Sequence, residues 1–120
     1  MRHNLGDKER ILHILDSIEN IEIFLKNVDL ESFDKNTEKI AAVERMLEII
    51  GEAANHISDE IKYDYKYSTP WKKIIGTRNI IIHEYFRVDN KVIYQTAKED
   101  IIPLKSEIES ILKELENSNK

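Results

Sequence analysis

The chain alternates long runs of helical apolar spacing with short polar breaks. Ile11, Ile14, Ile18, Ile21, Leu25 and Val28 recur at intervals of three and four, which predicts a first long helix over residues 5–28, its stripe widened by Leu15. Residues 29–36 break the period and read as a connection, with Phe33 tucked back onto the core and Asn36 or Thr37 placed to cap the next helix. A second helix is predicted over 37–57. Ile40, Val43, Leu47, Ile50, Ala54 and Ile57 form one stripe on it, and Ala42, Met46, Ile49 and Ala53 form another. A helix apolar on two faces packs from two sides, so this one is expected at the centre of the fold or at an oligomer contact. Gly51 weakens it by about 1 kcal/mol relative to Ala, a cost that close approach of another backbone would explain. Arg45, Glu48 and Glu52 share the remaining side, as a surface ladder or facing basic residues elsewhere.

Residues 58–69 are polar and tyrosine-rich and read as a loop. Thr69 as N-cap and Pro70 at the first helical position open a third helix that runs to about Tyr85. A turn over 86–90 comes next, with Asp89 or Asn90 capping a fourth helix that begins at Lys91. Pro103 removes a backbone donor and should kink or divide that helix before Leu104, Ile108, Ile111 or Leu112, and Leu115 resume the period. The pattern therefore predicts an all-α fold: one domain over 1–120, an up-and-down bundle of four to five helices whose last helix is kinked near Pro103.

Composition narrows the function. The absence of Cys removes disulfides and thiolate chemistry. No apolar run reaches the ~18–20 residues of a membrane span, and the first ten residues lack the apolar segment of a signal peptide, so a soluble cytoplasmic protein without a membrane partner is expected. The net charge of −5 argues against indiscriminate nucleic-acid binding. Residues 70–98 invert that balance: Lys72, Lys73, Arg78, Arg87, Lys91 and Lys98 face only Glu84 and Asp89, which makes a local anion site plausible on an acidic body.

That basic region contains the segment richest in chemistry, Thr77–Phe86. On a helix Ile74, Ile75, Ile81 and Ile82 fall close to Arg78, Tyr85 lies two turns above it, and Asn79 and His83 form an i,i+4 pair on the flank. A guanidinium inside an apolar stripe is costly unless paired or wet, which points to a structural ion pair or to a site. His83 has no second His within helical reach, so no metal site is expected, and no cofactor motif is present. Arg, Asn, His and Tyr beside Lys72, Lys73 and Arg87 suit phosphate chemistry. The guanidinium fork neutralises a phosphoryl group, the imidazole moves protons near neutral pH, and RNA brings its own nucleophile in the 2′-hydroxyl. One His per chain is thin for separate acid and base roles, whereas two chains meeting at this helix would supply two. Simpler readings compete: His83 as a helix-end or core residue, Arg78 snorkelling or paired with Glu48 or Glu52, and Tyr85 as a core aromatic.

The residues Arg78-Asn79-x3-His83-x-Tyr85 resemble the Arg-x4-His-x-Tyr motif of the HepT-like toxins of the HEPN group (higher eukaryotes and prokaryotes nucleotide-binding domains). The likeness extends along nearly the whole chain. It includes Leu47–Ala54, Pro70–Gly76, Val88-Asp89 and Asp100–Leu104, in that order and spacing. The resemblance implies a homodimeric, metal-independent ribonuclease acting on RNA in the dimer cleft, with Arg78 and His83 catalytic and Asn79 supporting. It further implies a toxin whose partner is a minimal nucleotidyltransferase antitoxin, one that transfers AMP to Tyr85. A bulky anion there would fill the cleft and repel RNA phosphates. The alternatives are a non-catalytic helical subunit that docks a nucleotidyltransferase and helps it hold nucleotide, and a plain oligomerisation domain with a buried polar network.

Overall fold

The computed structural model describes the backbone of residues 4–64, 67–83 and 89–118, and the side chains of 6–64, 67–78 and 89–117. Helix α1 spans Asn4–Leu25 and buries Ile11, Ile14, Ile18, Ile21 and Leu25, the stripe expected from their spacing. It ends three residues before the predicted limit. Asn27 takes a left-handed φ of 59°, and the Val28 N–H closes the turn onto the Leu25 carbonyl at 3.0 Å.

The connection expected over 29–36 contains a short helix, α2 (Leu30–Asp34). Asp29 accepts the Ser32 N–H at 2.8 Å as its cap, and Phe33 is fully buried. Helix α3 (Thr37–Asn55) is capped by Asn36, whose side chain accepts the Lys39 N–H at 3.0 Å. Val43, Leu47, Ile50, Ala53 and Ala54 are buried. Helix α3 packs against α1 on one side and the Trp71–His83 helix on the other, as its two apolar stripes require.

Residues 58–69 also depart from the expected loop. A single helical turn, α4 (Asp59–Lys62), succeeds Ser58, whose N–H and hydroxyl both donate to the buried carboxylate of Asp7, at 3.0 and 2.7 Å. A one-turn helix carries no readable apolar period, so the pattern along the chain passes over both α2 and α4.

Past the third long helix, α5 (Trp71–His83), Asp89 caps α6 (Asn90–Gln95) by accepting the Lys91 N–H at 2.9 Å. Instead of one kinked helix, the chain changes hydrogen-bonding pattern twice. A π segment (Thr96–Ile101) leads to a 3-10 turn (Ile102–Leu104) with Pro103 near its start, before α7 (Lys105–Ser118) resumes. The missing proline N–H is thus absorbed by wider and then tighter turns spread over the segment. Ile93, Ala97, Ile101, Ile108 and Ile111 continue one buried line along this part of the chain, and α7 lies against α1. The architecture is an all-α bundle, with more and shorter helices than the four to five expected. Among the described residues no helix is long and apolar enough to cross a membrane.

Candidate functional site

Helix α5 enters the bundle through Trp71 and Ile74, both buried, with Ile75 packed partly against the core. Its start differs from the capping expected. The Pro70 carbonyl accepts the Ile74 N–H at 3.0 Å, while the Thr69 hydroxyl donates to Glu107 Oε1 on α7 at 2.6 Å instead of closing the helix. The Ser68 N–H donates to the same carboxylate at 2.8 Å, and the Tyr67 hydroxyl donates to Glu114. Two acidic residues of α7 therefore fasten the segment that leads into α5. Burial, reinforced by the bond to Glu114, pushes the Tyr67 phenol up to about 12.

The decisive contact lies further along α5. A Cβ added to Gly51 would sit 2.2 Å from Arg78 Cβ and 3.2 Å from its Cα, so α3 and α5 cross with almost no space between their backbones. The close approach expected at Gly51 is made by Arg78 itself. From that crossing the Arg78 side chain runs out until Nε lies 2.7 Å from Glu52 Oε1, leaving 27% of the side chain exposed. Glu52 extends its other oxygen, Oε2, to His56 Nε2 at 3.1 Å. The bond to His56, and after it the charge of Arg78, holds the Glu52 carboxyl below its ordinary range. Of the two ion-pair partners weighed for Arg78, it meets Glu52 at the wet edge of the bundle and not Glu48. Glu48 pairs with Arg45 at 3.4 Å.

These groups line a cleft of about 400 Å³. Its floor is α3, which contributes Arg45, Glu48 and Glu52, with His56 at the C-cap just beyond it, while Arg78 comes from α5 and Arg10 and His13 come from α1. Sequence reasoning misses the α1 side and His56. The available signal is Arg10 and His13, which flank Ile11 and Ile14 at a spacing of three, and His56, one helical turn after Glu52. Among the described residues no three His, Asp or Glu side chains converge as metal ligands.

The other residues singled out from sequence divide into two groups. Lys72 is exposed. Lys73 turns to Asp100 at 3.1 Å, which ties α5 to the π segment and occupies a cation expected for phosphate. The side chains of Asn79 and His83, and Tyr85 and Arg87 entirely, lie outside the described residues.

The chain is thus a helical-bundle protein with an arginine carried by a close helix crossing to the rim of a polar cleft, tied there to a carboxylate, and with a histidine five positions on in α5. Comparison with known proteins makes the class specific. The family described as "Ribonuclease HepT-like" matches residues 14–111. The chain is 40% identical over 108 residues to "Probable ribonuclease HepT" of Thermococcus cleftensis, which covers 88% of this chain and 96% of that protein. It is 38% identical over 112 residues to "Putative RNase MJ1216" of Methanocaldococcus jannaschii, covering 93% and 92%. A second protein of that organism, "Putative RNase MJ1380", is 36% identical over 104 residues, covering 87% and 94%. No solved structure matches. The chain belongs to the HepT-like ribonuclease family.

Proposed function

We propose that this protein cleaves RNA without a metal ion, as the toxin of a toxin–antitoxin pair, with Arg78 and His83 as its catalytic residues and Asn79 supporting them. The observation that carries the reading is the Gly51–Arg78 crossing. It uses the single glycine of α3 to place a guanidinium at the rim of a polar cleft, inside the segment that matches the family. In this scheme Arg78 holds the scissile phosphate and offsets the charge that grows on it. The 2′-hydroxyl attacks the adjacent phosphorus, a base removes its proton, and the P–O5′ bond breaks as the leaving oxygen is protonated. The products are a 2′,3′-cyclic phosphate and a free 5′-hydroxyl, so no metal-bound water enters the reaction.

A homodimer supports the proton traffic, because two copies of α5 meeting across a two-fold axis bring two His83 and two Arg78 into one cleft. Lys72 and Arg87 serve as further phosphate contacts, and Lys73 joins them only by leaving Asp100. The neutralising partner is a minimal nucleotidyltransferase that AMPylates Tyr85, and the pair acts in the cytoplasm as a single-domain toxin with its antitoxin. The test is incubation of the purified chain with structured and single-stranded RNA in excess EDTA, read by gel and by the chemistry of the new ends. Cleavage with cyclic phosphate ends is expected.

A further inference from the structure

We propose that the cleft between α1, α3 and α5 is a second phosphate-binding subsite, holding the RNA backbone next to the phosphate that Arg78 engages, with Arg10 and Arg45 as its binding residues. The proposal rests on the ribonuclease reading only for the identity of the polyanion.

Charge and continuity both favour it. The cleft takes Arg78 from α5, Arg10 from α1 and Arg45 from the α3 floor. Three guanidiniums therefore line one concavity in a chain whose net charge is −5. The two carboxylates among them are already engaged: Glu52 joins Arg78 and His56, and Glu48 lies 3.4 Å from Arg45. The Arg45–Glu48 pair is an exposed i,i+3 pair, with 68% of the Arg45 side chain open to solvent, and such a pair is easily exchanged for a phosphate.

An endonuclease must hold the strand on at least one side of the bond it cuts, and phosphate contacts set that register. A cation-lined groove that tracks the backbone is how single strands are bound without regard to sequence. A cleft that begins at the catalytic arginine and continues across α3 toward α1 supplies such a track.

The probe is a fully 2′-O-methylated oligoribonucleotide, which lacks the attacking hydroxyl and is bound without being cut. Its affinity is measured by fluorescence anisotropy from about 50 to 300 mM salt, the range over which phosphate contacts reveal themselves. The intact chain is compared with Arg10→Ala/Arg45→Ala and with Glu48→Gln. Lys113→Ala on α7, outside the cleft, is the control. The double variant should weaken binding about tenfold at low salt and flatten the log–log salt slope by roughly 1.4, about 0.7 for each lost contact. On cleavable RNA it should raise KM and leave kcat nearly unchanged. Glu48→Gln should move affinity the opposite way, tightening binding several-fold, which a merely structural role for Arg45 does not explain.

If the intact chain binds the probe and both variants match it in affinity and slope, the subsite is overturned and the ribonuclease reading stands. If the intact chain cuts no RNA yet binds the probe, and the double variant loses that binding, the subsite stands and the ribonuclease reading falls. If the intact chain does not bind the probe at all, the subsite is overturned.

Discussion

Gly51 and Arg78 meet where α3 crosses α5, so closely that a methyl group on Gly51 would lie 2.2 Å from Arg78 Cβ. The same contact fixes the distance between the two helices and the starting point of the Arg78 side chain. Fold and site are therefore coupled at one residue pair. Gly51→Ala should destabilise the protein by about 1–3 kcal/mol through overpacking, more than the ~1 kcal/mol that alanine adds to helix propensity. Urea unfolding gives the first number. RNA cleavage at a temperature where the variant stays folded should fall further than the folded fraction does, because the helices separate at Arg78.

Glu52 ties the crossing to the cleft. Its carboxyl is held below the ordinary value of 4.5 by the bond to His56 and then by Arg78, so the folded state favours the ionised form. A depressed carboxylate pKa contributes stability that is present above the unfolded value and lost as pH falls through the folded one. The stability difference between the wild type and Glu52→Gln should therefore shrink as pH falls below 4.5. Chemical denaturation across that range checks it. A difference that grows on acidification would contradict the assignment.

The link between α7 and the entry to α5 behaves in the opposite sense. Tyr67 donates to Glu114, and its phenol is raised to about 12. The stability this provides is complete below pH 10.0, the ordinary phenol value, and is lost as pH rises through about 12. Tyr67→Phe should remove about 1 kcal/mol near neutral pH, as loss of one hydrogen bond does. It should also flatten the alkaline fall in stability between those limits, measured by thermal melts in matched buffers.

Modification of Tyr85 is tested by mass. After co-expression with a partner nucleotidyltransferase and ATP, the wild type should gain mass in steps of one AMP unit and lose RNA cleavage as it does. Tyr85→Phe should keep its mass and most of its activity. Equal mass gain in both would move the acceptor to another tyrosine, with Tyr63, 72% exposed beside α4, the first to examine.

The apolar pattern along the chain suffices to place α1, α3, α5 and the buried line of the last segment, because each buries a stripe at helical spacing. It also marks Gly51 as a close approach and Glu52 as one of two partners for Arg78. It passes over α2 and α4, which are too short to show a period. Asp29 holds the first through a local cap, and Asp7 holds the second across 51 residues of sequence, a contact that no spacing reveals. The spread of irregular turns around Pro103 is likewise hidden, since a missing donor says that a helix is disturbed and not how far. Of the cleft, the α5 side is legible and the α1 side is not. Arg10 and His13 join Arg78 in one cleft only once α1 and α5 flank the same helix.

The most direct test of the proposed mechanism compares RNA cleavage by the wild type, Arg78→Ala and His83→Ala in excess EDTA, with circular dichroism confirming that each is folded. The wild type should leave 2′,3′-cyclic phosphate ends, and each variant should lose about 10²–10⁴-fold in rate, the range for removal of a proton-transfer or charge-stabilising group. Folded variants that cut as fast as the wild type, or cleavage that stops in EDTA and returns with Mg²⁺, would contradict it.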